Sequence, residues 1–436
     1  MSMKLSAVAG CALLFSTSLL AETITIATVN NGDMITMQEL SSDFTAKNPD
    51  ITLKWVTLEE NILRQRVTTD VATRGGQYDV MTIGTYEVPI WGKQGWLTEL
   101  DKLGENYDLD DLLPAIRSGL TVDNKLFAAP FYGESSMVMY RKDLMQKAGL
   151  EMPTKPSWDF IRQAAKAMTD KEAGVYGICL RGKAGWGENV ALITSMSNSF
   201  GARWFDENWQ PQFDSKEWQA TLQYYVELLE ESGPPGSSAN GFNENLALFQ
   251  TGKCGIWIDA TVAGAFVTNV KDSEVADKVG FALAPDNGLG KRGNWLWAWT
   301  LAVPKSSTKS DAAMKFISWA TSKEYSALVA EKKGWAKVPP GTRASLYDNP
   351  EYIKAAPFAQ ITLESIQSAD PINPTVKPVP YVGIQFVAIP EFQGIGTAVG
   401  QQFSAALTGQ LTVKQALESS QRLVERAMKK ARYPKK

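Results

Sequence analysis

The chain has 436 residues, 21% of them charged and 44% apolar; this is an ordinary soluble composition, but the length exceeds one compact core and predicts two lobes. The formal charge of -3 argues against a general nucleic-acid-binding protein, because that class needs a basic surface. Histidine is absent, which excludes Ser-His-Asp and Cys-His catalysis and removes the commonest transition-metal ligand.

The N-terminal segment 1–21, "MSMKLSAVAGCALLFSTSLLA", predicts an export signal. It has one basic residue, Lys4, followed by an apolar stretch at 8–20. That stretch is too short to span a bilayer and is typical of a secretory signal peptide. "VAGC" resembles a lipoprotein cleavage box, but most of the apolar segment follows Cys11, which argues against that interpretation. We expect cleavage near Ala21 and export to the periplasm.

The first part of the mature chain has the pattern of alternating strands and helices. "TITIATV" alternates and predicts a strand, a turn follows at 30–32, and Asp33 is the predicted cap of a helix that ends at Asn48. "ITLKWVTL" predicts the next strand, 61–73 a helix, and "YDVMTIG" a buried strand. This β-α-β-α-β order predicts a parallel sheet with helices on its faces.

A second α/β set follows further along the chain. "PSWDFIRQAAKAM" predicts a helix capped by Ser157, and "VYGICLRG" and "CGIWIDA" predict strands on either side of a helix in "WQATLQYYVELLEES". "NWLWAWTLAVP" alternates strictly, so Trp295, Trp297 and Trp299 share one face. Two amphipathic helices complete the set, "SDAAMKFISWATS" and "TVKQALESSQRLVERAMKK", the latter capped by Thr412.

Two cysteines follow the predicted signal, Cys179 and Cys254. An oxidising compartment permits a disulfide between them. Both lie in apolar strand-like runs, where buried free thiols are also common. The sequence leaves the paired and the free state open.

The chain resembles the extracellular solute-binding proteins of bacterial ABC sugar importers (family 1). The likeness rests on six motifs in order, "FTAKNPDITLKWV", "GGQYDVMTIG", "APFYGESSMVMYRKDLMQKAG", "PSWDFI", "LFQTGKCGIWI" and "VPKSSTKSDAAMKFISW". Within that family, "TVNNGDMITMQELSSDF", "YGESSMVMYRKDLMQKAGL" and "NWLWAWTLAVPKSS" are most similar to the sorbitol- and mannitol-binding proteins.

The resemblance implies a two-lobed α/β periplasmic-binding-protein fold, with a largely parallel sheet and flanking helices in each lobe. The ligand cleft would lie between the lobes, as is common for ligand sites. By resemblance, one lobe comprises 22–133 and 300–337, and the other comprises 134–299 and 338–436. The stretch 132–134 then lies where the chain first crosses between the lobes.

A polyol site needs acceptors and donors for hydroxyl groups and flat apolar faces for C–H groups. Glu134 is the first candidate, because an acid at the crossover reaches the cleft; a hinge salt bridge is the alternative role. Tyr132 beside it would stack or pack. Family position favours Trp297 as an aromatic platform and Trp295 next, although a face of tryptophans is also typical of a core.

Further candidates lie at predicted strand ends, where open α/β sheets bind ligands. In the first lobe these are Asn31, Asp33, Glu60 and Tyr86, with turn and cap duty as the alternative for the first two. In the second lobe Arg181 follows a strand, with Lys183, Trp186 and Glu188 close behind, and Asp259 ends "CGIWID". Arg343 in "VPPGTRAS" completes the set of predicted ligand contacts.

The preferred interpretation is a monomeric periplasmic binding protein without catalysis, cofactor, metal or nucleic-acid partner. It would capture a small-molecule polyol or sugar (mannitol, sorbitol or arabitol) by hinge closure and deliver it to ABC permease subunits at the inner membrane. The alternative is a secreted glycoside hydrolase that uses Glu134 and Asp259. The sequence argues against it, because it does not predict the eight βα units of a barrel. A metal-binding exported protein is disfavoured by the missing histidines.

Overall fold

The computed structural model describes residues 21–434, so the predicted signal peptide, apart from Ala21, lies outside the described residues. In this part of the chain the strands are β1 (Glu22–Val29), β2 (Ile51–Leu58), β3 (Val80–Gly84), β4 (Thr121–Val122), β5 (Lys125–Leu126), β6 (Ala129–Glu134), β7 (Ser136–Arg141), β8 (Tyr176–Cys179), β9 (Cys254–Ala260), β10 (Val279–Leu283) and β11 (Trp297–Ala302).

The α-helices of the same part of the chain are α1 (Gly32–Leu40), α2 (Ser42–Lys47), α3 (Glu60–Thr73), α4 (Glu87–Lys93), α5 (Pro114–Ser118), α6 (Lys142–Lys147), α7 (Trp158–Met168), α8 (Asn189–Ser199), α9 (Lys216–Ser232), α10 (Phe242–Gln250), α11 (Gly264–Val267), α12 (Ser310–Ala320), α13 (Lys323–Lys333), α14 (Ala344–Tyr347), α15 (Pro350–Ala355), α16 (Ala359–Gln367), α17 (Phe392–Leu407) and α18 (Val413–Lys430).

Two main sheets organise the molecule. The five-stranded sheet has the order β2-β1-β3-β11-β6, and the four-stranded sheet has the order β10-β7-β9-β8. We call the first sheet with its helices the first lobe and the second sheet with its helices the second lobe. The lobe boundaries given above remain predictions, but all of β6 and β11 belong to the five-stranded sheet.

The sheets are mixed, so the expectation of largely parallel sheets holds only in part. β1 pairs in parallel with β2 and β3, as the β-α-β-α-β pattern predicts, and β8 pairs in parallel with β9. β11 is antiparallel to both of its neighbours, and β7 is antiparallel to β9 and β10. Because β7, β9 and β11 are almost completely buried, their apolar runs carry no signal of strand direction.

Helix caps decide where several elements begin. Ser157 and Thr412 accept hydrogen bonds from the backbone at the starts of α7 and α18, which confirms both predicted caps. The predicted cap Asp33 is wrong, because Asn31 fills that position and its Oδ1 accepts from the Met34 amide at 3.0 Å. Asn31 has the extended backbone typical of an N-cap, whereas Asp33 already lies in the first turn.

The chain crosses between the sheets at Ser135, between β6 and β7. This residue and Thr261, which follows β9, exchange two hydrogen bonds, one through each backbone amide. These two hydrogen bonds tie the crossover at Ser135 to the residue that follows β9 of the second sheet. In the second sheet, Cys179 and Cys254 form a disulfide. None of the helices within 21–434 combines the length and apolar character needed to cross a membrane.

Candidate ligand-binding site

Two adjoining cavities lie between the lobes, with empty volumes of about 530 Å³ and about 380 Å³. Both are lined by Glu60, Glu134, Arg181 and Trp299, so they form one chamber. The chamber receives side chains from both sheets, as a site that joins two lobes requires.

Glu134 stands at the centre of this chamber. It ends β6, is only 6% exposed, and faces both cavities. Burial raises the pKa of Glu134 well above its usual range, and the positive charge of Arg181 opposes that rise. Within residues 21–434 no group donates a hydrogen bond to its carboxylate, which leaves both oxygens available to a ligand.

Arg181 enters the chamber from the end of β8 and is held from behind. Its Nε donates to Asp259 Oδ2 at 2.9 Å and its Nη2 to Asp259 Oδ1 at 2.7 Å. Asp259 is fully buried and lines neither cavity, and it also accepts from Trp257 Nε1 at 3.1 Å. The structure therefore places Asp259 behind the chamber, where its carboxylate orients the guanidinium and balances its charge.

An aromatic wall surrounds a second arginine, Arg64 of α3. Its Cζ lies 4.1 Å from the ring centre of Trp186, 4.6 Å from Trp299 and 4.9 Å from Trp297. Its Nη2 donates to Glu60 at 2.9 Å, and its Nη1 donates to Glu87 at 3.0 Å. These contacts fix the guanidinium and the indoles in one rigid group, since cation–π stacking adds to the charged hydrogen bonds.

Trp295 lines the smaller cavity together with Trp297. Its indole Nε1 is buried and has no hydrogen-bond partner among the described residues. A buried N–H without a partner carries a desolvation cost of roughly 1–3 kcal/mol. A ligand hydroxyl at this point would satisfy it.

The remaining first-lobe candidates that reach the chamber are Asn31, Tyr132 and Glu60. Asn31 Nδ2 donates to the Tyr132 hydroxyl at 2.9 Å, and both residues line the larger cavity. Trp186, from the second lobe, lines the smaller cavity. Together with Glu134, Arg181, Trp295 and Trp297, the structure thus brings eight predicted residues to the chamber walls.

Three other predicted contacts do not line the chamber. Asp33 lies in α1, and burial raises its pKa to about 7 despite the opposing charge of Lys337. The Tyr86 hydroxyl donates to the Ile389 carbonyl at 2.9 Å, so this ring supports Trp186 from behind. The Arg343 guanidinium donates to three backbone carbonyls, those of Tyr107, Asp108 and Thr321.

Several lining residues were not among the predicted contacts. Phe242 and Asn243 begin α10, and Gln385 lies in the connection before α17. Glu188, named only as a neighbour of Arg181, lines the larger cavity, where burial and the charge of Glu60 raise its pKa to about 8. For Arg64 the one available signal is its spacing of four residues from Glu60, which is typical of an ion pair on a helix.

Comparison with known proteins places the chain in a family. Residues 30–327 match the model of the family described as bacterial extracellular solute-binding protein. The chain belongs to this family. Its match covers well over half of the sequence, and the predicted family and two-lobed α/β fold are confirmed.

Individual members of the family extend the likeness over the whole chain. A mannitol-binding protein of Pseudomonas aeruginosa is 57% identical over 434 residues, which cover 100% of this chain and 99% of that protein. The crystal structure of an ABC transporter solute-binding protein from Agrobacterium vitis S4, with bound D-mannitol, is 74% identical with a TM-score of 0.95, and covers 95% of this chain and 100% of that one.

A more distant structure shares the fold. An ABC transporter solute-binding protein from Agrobacterium radiobacter K84, in complex with ribitol, is 23% identical with a TM-score of 0.83. The match covers 93% of this chain and 99% of that one. At 23% identity, this similarity supports the shared two-lobed fold and nothing further.

Proposed function

We propose that this protein is the polyol-binding component of a bacterial ABC importer and that D-mannitol is its ligand. The observation that carries the proposal is the buried Glu134 carboxyl group, which faces the chamber between the lobes and has no hydrogen-bond partner among the described residues. The 74% identical structure with bound D-mannitol and the 57% identical mannitol-binding protein support the choice of ligand.

The chamber offers what a hexitol needs. Glu134 and Glu60 accept hydroxyl hydrogens, while Arg181 and the free indole N–H of Trp295 donate to hydroxyl oxygens. Each hydroxyl buried without a partner would cost roughly 1–3 kcal/mol, so a dense polar lining is required. Trp297 and Trp299 present apolar faces to the C–H groups of the ligand.

Binding acts through closure of the two lobes. A ligand favours the closed state only if it contacts both lobes at once. Here Asn31, Glu60 and Trp299 come from the first lobe, whereas Arg181 and Glu188 come from the second. A polyol in the chamber would therefore hold the lobes together, and the closed form would present the ligand to the permease.

Release of an unaltered ligand, rather than catalysis, is the outcome we propose. A carboxylate pair of Glu134 and Asp259 does not suit glycoside hydrolysis, because Asp259 is fully buried against Arg181. The rest of the proposal is a monomer that acts in the periplasm after cleavage near Ala21. It would meet permease subunits at the inner membrane and would bind neither nucleic acid nor metal.

Calorimetric titration tests the proposal with D-mannitol, sorbitol, arabitol and maltose. We expect D-mannitol to bind with the highest affinity and to be recovered chemically unchanged after dialysis. Absence of binding to every polyol would overturn the proposed function. Conversion of the ligand during incubation would favour an enzyme instead.

A further inference from the structure

Two glycines in the second lobe, Gly185 and Gly187, lie against the first lobe. They flank Trp186 in the connection from β8 to α8, and neither has a positive φ angle. Any residue could therefore adopt their backbone conformation. The reason for glycine at both positions must lie in what surrounds them.

A side chain at either position would collide with the N-terminal turn of α3. A Cβ atom at Gly185 would lie 2.5 Å from Asn61 Oδ1 and 3.2 Å from Asn61 Cγ. A Cβ atom at Gly187 would overlap Glu60 Oε1 and would lie 3.0 Å from both Nε and Nη2 of Arg64. Both glycines thus let the two lobes approach each other.

The neighbours of Gly187 have little freedom to move away. Glu60 Oε1 accepts two hydrogen bonds from Arg64, and Arg64 is held in turn by Glu87 and by three indole rings. One of those rings is Trp186, which lies between the two glycines. The same residues, Arg64 and Trp186, therefore form both the contact between the lobes and part of the aromatic wall of the chamber.

Further contacts join the lobes at the same place. Lys183 Nζ lies 2.6 Å from Glu59 Oε1, one residue before α3. On another part of the interface, a Cβ atom at Gly32 of α1 would overlap the ring of Phe266 in α11. Gly32 also lacks a positive φ angle, so close approach of the lobes again accounts for the glycine.

We propose that Gly185 and Gly187 are positioning residues for lobe closure, at which the absence of a side chain lets α3 dock against Trp186 and complete the ligand chamber. This inference rests on the proposed binding function and adds the residues that couple closure to affinity. Substitutions at these glycines lower the population of the closed state. The apparent affinity falls by the same factor, because only the closed state holds the ligand fully.

Gly185→Ala is the sharper test, because its neighbour Asn61 does not line the chamber, whereas Glu60 does. Gly394→Ala is the matched control, since Gly394 lies in α17 without a positive φ, and an added Cβ atom there would meet no heavy atom within 4 Å. The double variant Gly185→Ala/Asn61→Ala restores room at the contact. The affinity for D-mannitol is measured by calorimetry.

A second readout does not depend on any ligand. A zero-length carbodiimide reagent links Lys183 to Glu59 as an amide, with loss of water, only when the lobes are closed. The yield of this cross-link is measured by mass spectrometry of the digested protein. If the wild-type protein forms the cross-link but binds no polyol, the proposed function is contradicted. The closure contact can then still be tested by comparing the cross-link yields of the variants.

We expect Gly185→Ala to weaken D-mannitol binding about threefold or more and to lower the cross-link yield in parallel, because the Asn61 side chain must move away from the added Cβ atom. Gly394→Ala keeps the wild-type affinity and cross-link yield. In the Asn61→Ala background, adding Gly185→Ala should cause little further loss, so the double variant should bind almost as well as Asn61→Ala alone. Wild-type affinity and cross-link yield in Gly185→Ala would overturn the inference. Weaker binding with an unchanged cross-link yield would overturn it as well, because the effect would then not act through closure.

Discussion

At the scale of single residues, Glu134 and Trp295 offer the chamber one acceptor group and one donor without a protein partner among the described residues. Both side chains are largely buried, and the Trp295 N–H is a buried donor without a partner among the described residues. Such groups make a ligand necessary for full hydrogen bonding. They are therefore the places where a change in one side chain is expected to alter affinity most directly.

Glu134→Ala removes both acceptor oxygens from the chamber. We expect the affinity for D-mannitol to fall about tenfold, because the raised pKa of Glu134 favours the neutral carboxyl group and a hydrogen bond without a charged partner contributes roughly 0.5–1.5 kcal/mol. Calorimetry measures the change, and Glu207→Ala, at an exposed acid, serves as the control. Equal affinity of Glu134→Ala and the wild type would show that this carboxylate does not contact the ligand.

Trp295→Phe removes the indole N–H and keeps an aromatic face. Because the N–H has no partner among the described residues, the loss should appear in binding rather than in folding. We expect an affinity about fivefold lower or more, as one hydrogen bond of about 1 kcal/mol or more implies, with an unchanged or higher free energy of unfolding. Weakened folding with unchanged affinity would assign this ring to the core instead.

Asp33 gives the protein a predictable response to pH. Burial raises its pKa from the ordinary 3.8 to about 7, so between these values the folded chain holds a proton that the unfolded chain has released. The free energy of unfolding therefore decreases as the pH rises from about 4 to about 7, and this contribution levels off above the folded-state pKa. Asp33→Asn should remove this part of the slope, with an upper bound of about 4 kcal/mol.

Chemical denaturation at pH 4 and pH 8 measures most of that difference. The matched control is Asp110→Asn, because the Asp110 side chain is 94% exposed and its loss should leave the slope unchanged. The same slope in Asp33→Asn and the wild type would show that Asp33 is ionised in the folded protein at both pH values.

At the scale of elements, α3 organises the chamber. It carries Glu60 and Arg64 one turn apart, and it docks against Trp186 of the other lobe. Its N-cap Glu59 accepts from the amides of Asn61 and Ile62 and also pairs with Lys183. The N-terminal part of α3 therefore contributes to the Lys183–Glu59 salt bridge, to the aromatic wall and to the contact between the lobes.

Arg64→Lys keeps the positive charge but loses the planar group that stacks on three rings and binds two carboxylates at once. We expect weaker D-mannitol binding by about tenfold or more, because Glu60 and the indoles lose their common support. Arg66→Lys on the exposed face of the same helix is the control. If Arg64→Lys bound as tightly as the wild type, charge alone would explain the role of Arg64.

The local pattern of the sequence predicted these elements better than their mutual contacts. Spacing and capping residues predicted α7 and α18, and strand ends predicted that Asn31, Glu60 and Arg181 face one chamber. The pairing of Asp259 with Arg181 and the stacking of Arg64 on Trp186 join residues far apart in sequence. No local pattern encodes such contacts, so the sequence predicted Asp259 as a ligand contact and did not single out Arg64.

At the scale of the whole molecule, the charges around the chamber determine which ligands can enter it. Its walls carry five acidic and three basic side chains: Glu59, Glu60, Glu134, Glu188 and Glu244, and Arg64, Arg181 and Lys183. Mutual repulsion adds to burial in raising the pKa of Glu134 and of Glu188. A further negative charge would be opposed by the same repulsion.

We therefore expect D-mannitol to bind and D-mannitol 1-phosphate to bind at least about 100-fold more weakly at pH 7.5, since a burial of like charges costs several kcal/mol. Competition titration against D-mannitol measures the ratio. Sorbitol, an uncharged hexitol of the same size, is the control for shape. Comparable affinity for the phosphate ester would show that the acidic side chains of the chamber do not disfavour an added negative charge.

The inward pairing of Arg181 with Asp259 has a consequence for uptake as a whole. An unpaired arginine in a chamber of this size would attract phosphate and carboxylate esters, which are held well by a guanidinium. Asp259 balances the charge of Arg181, and the Gly187 carbonyl and Glu188 accept from its Nη1. The guanidinium therefore keeps few free hydrogen-bond donors and exerts little net attraction on anions. The binding site would thus exclude charged ligands whatever their shape. Acidic or phosphorylated carbohydrates outside the cell would therefore not compete with neutral polyols for uptake.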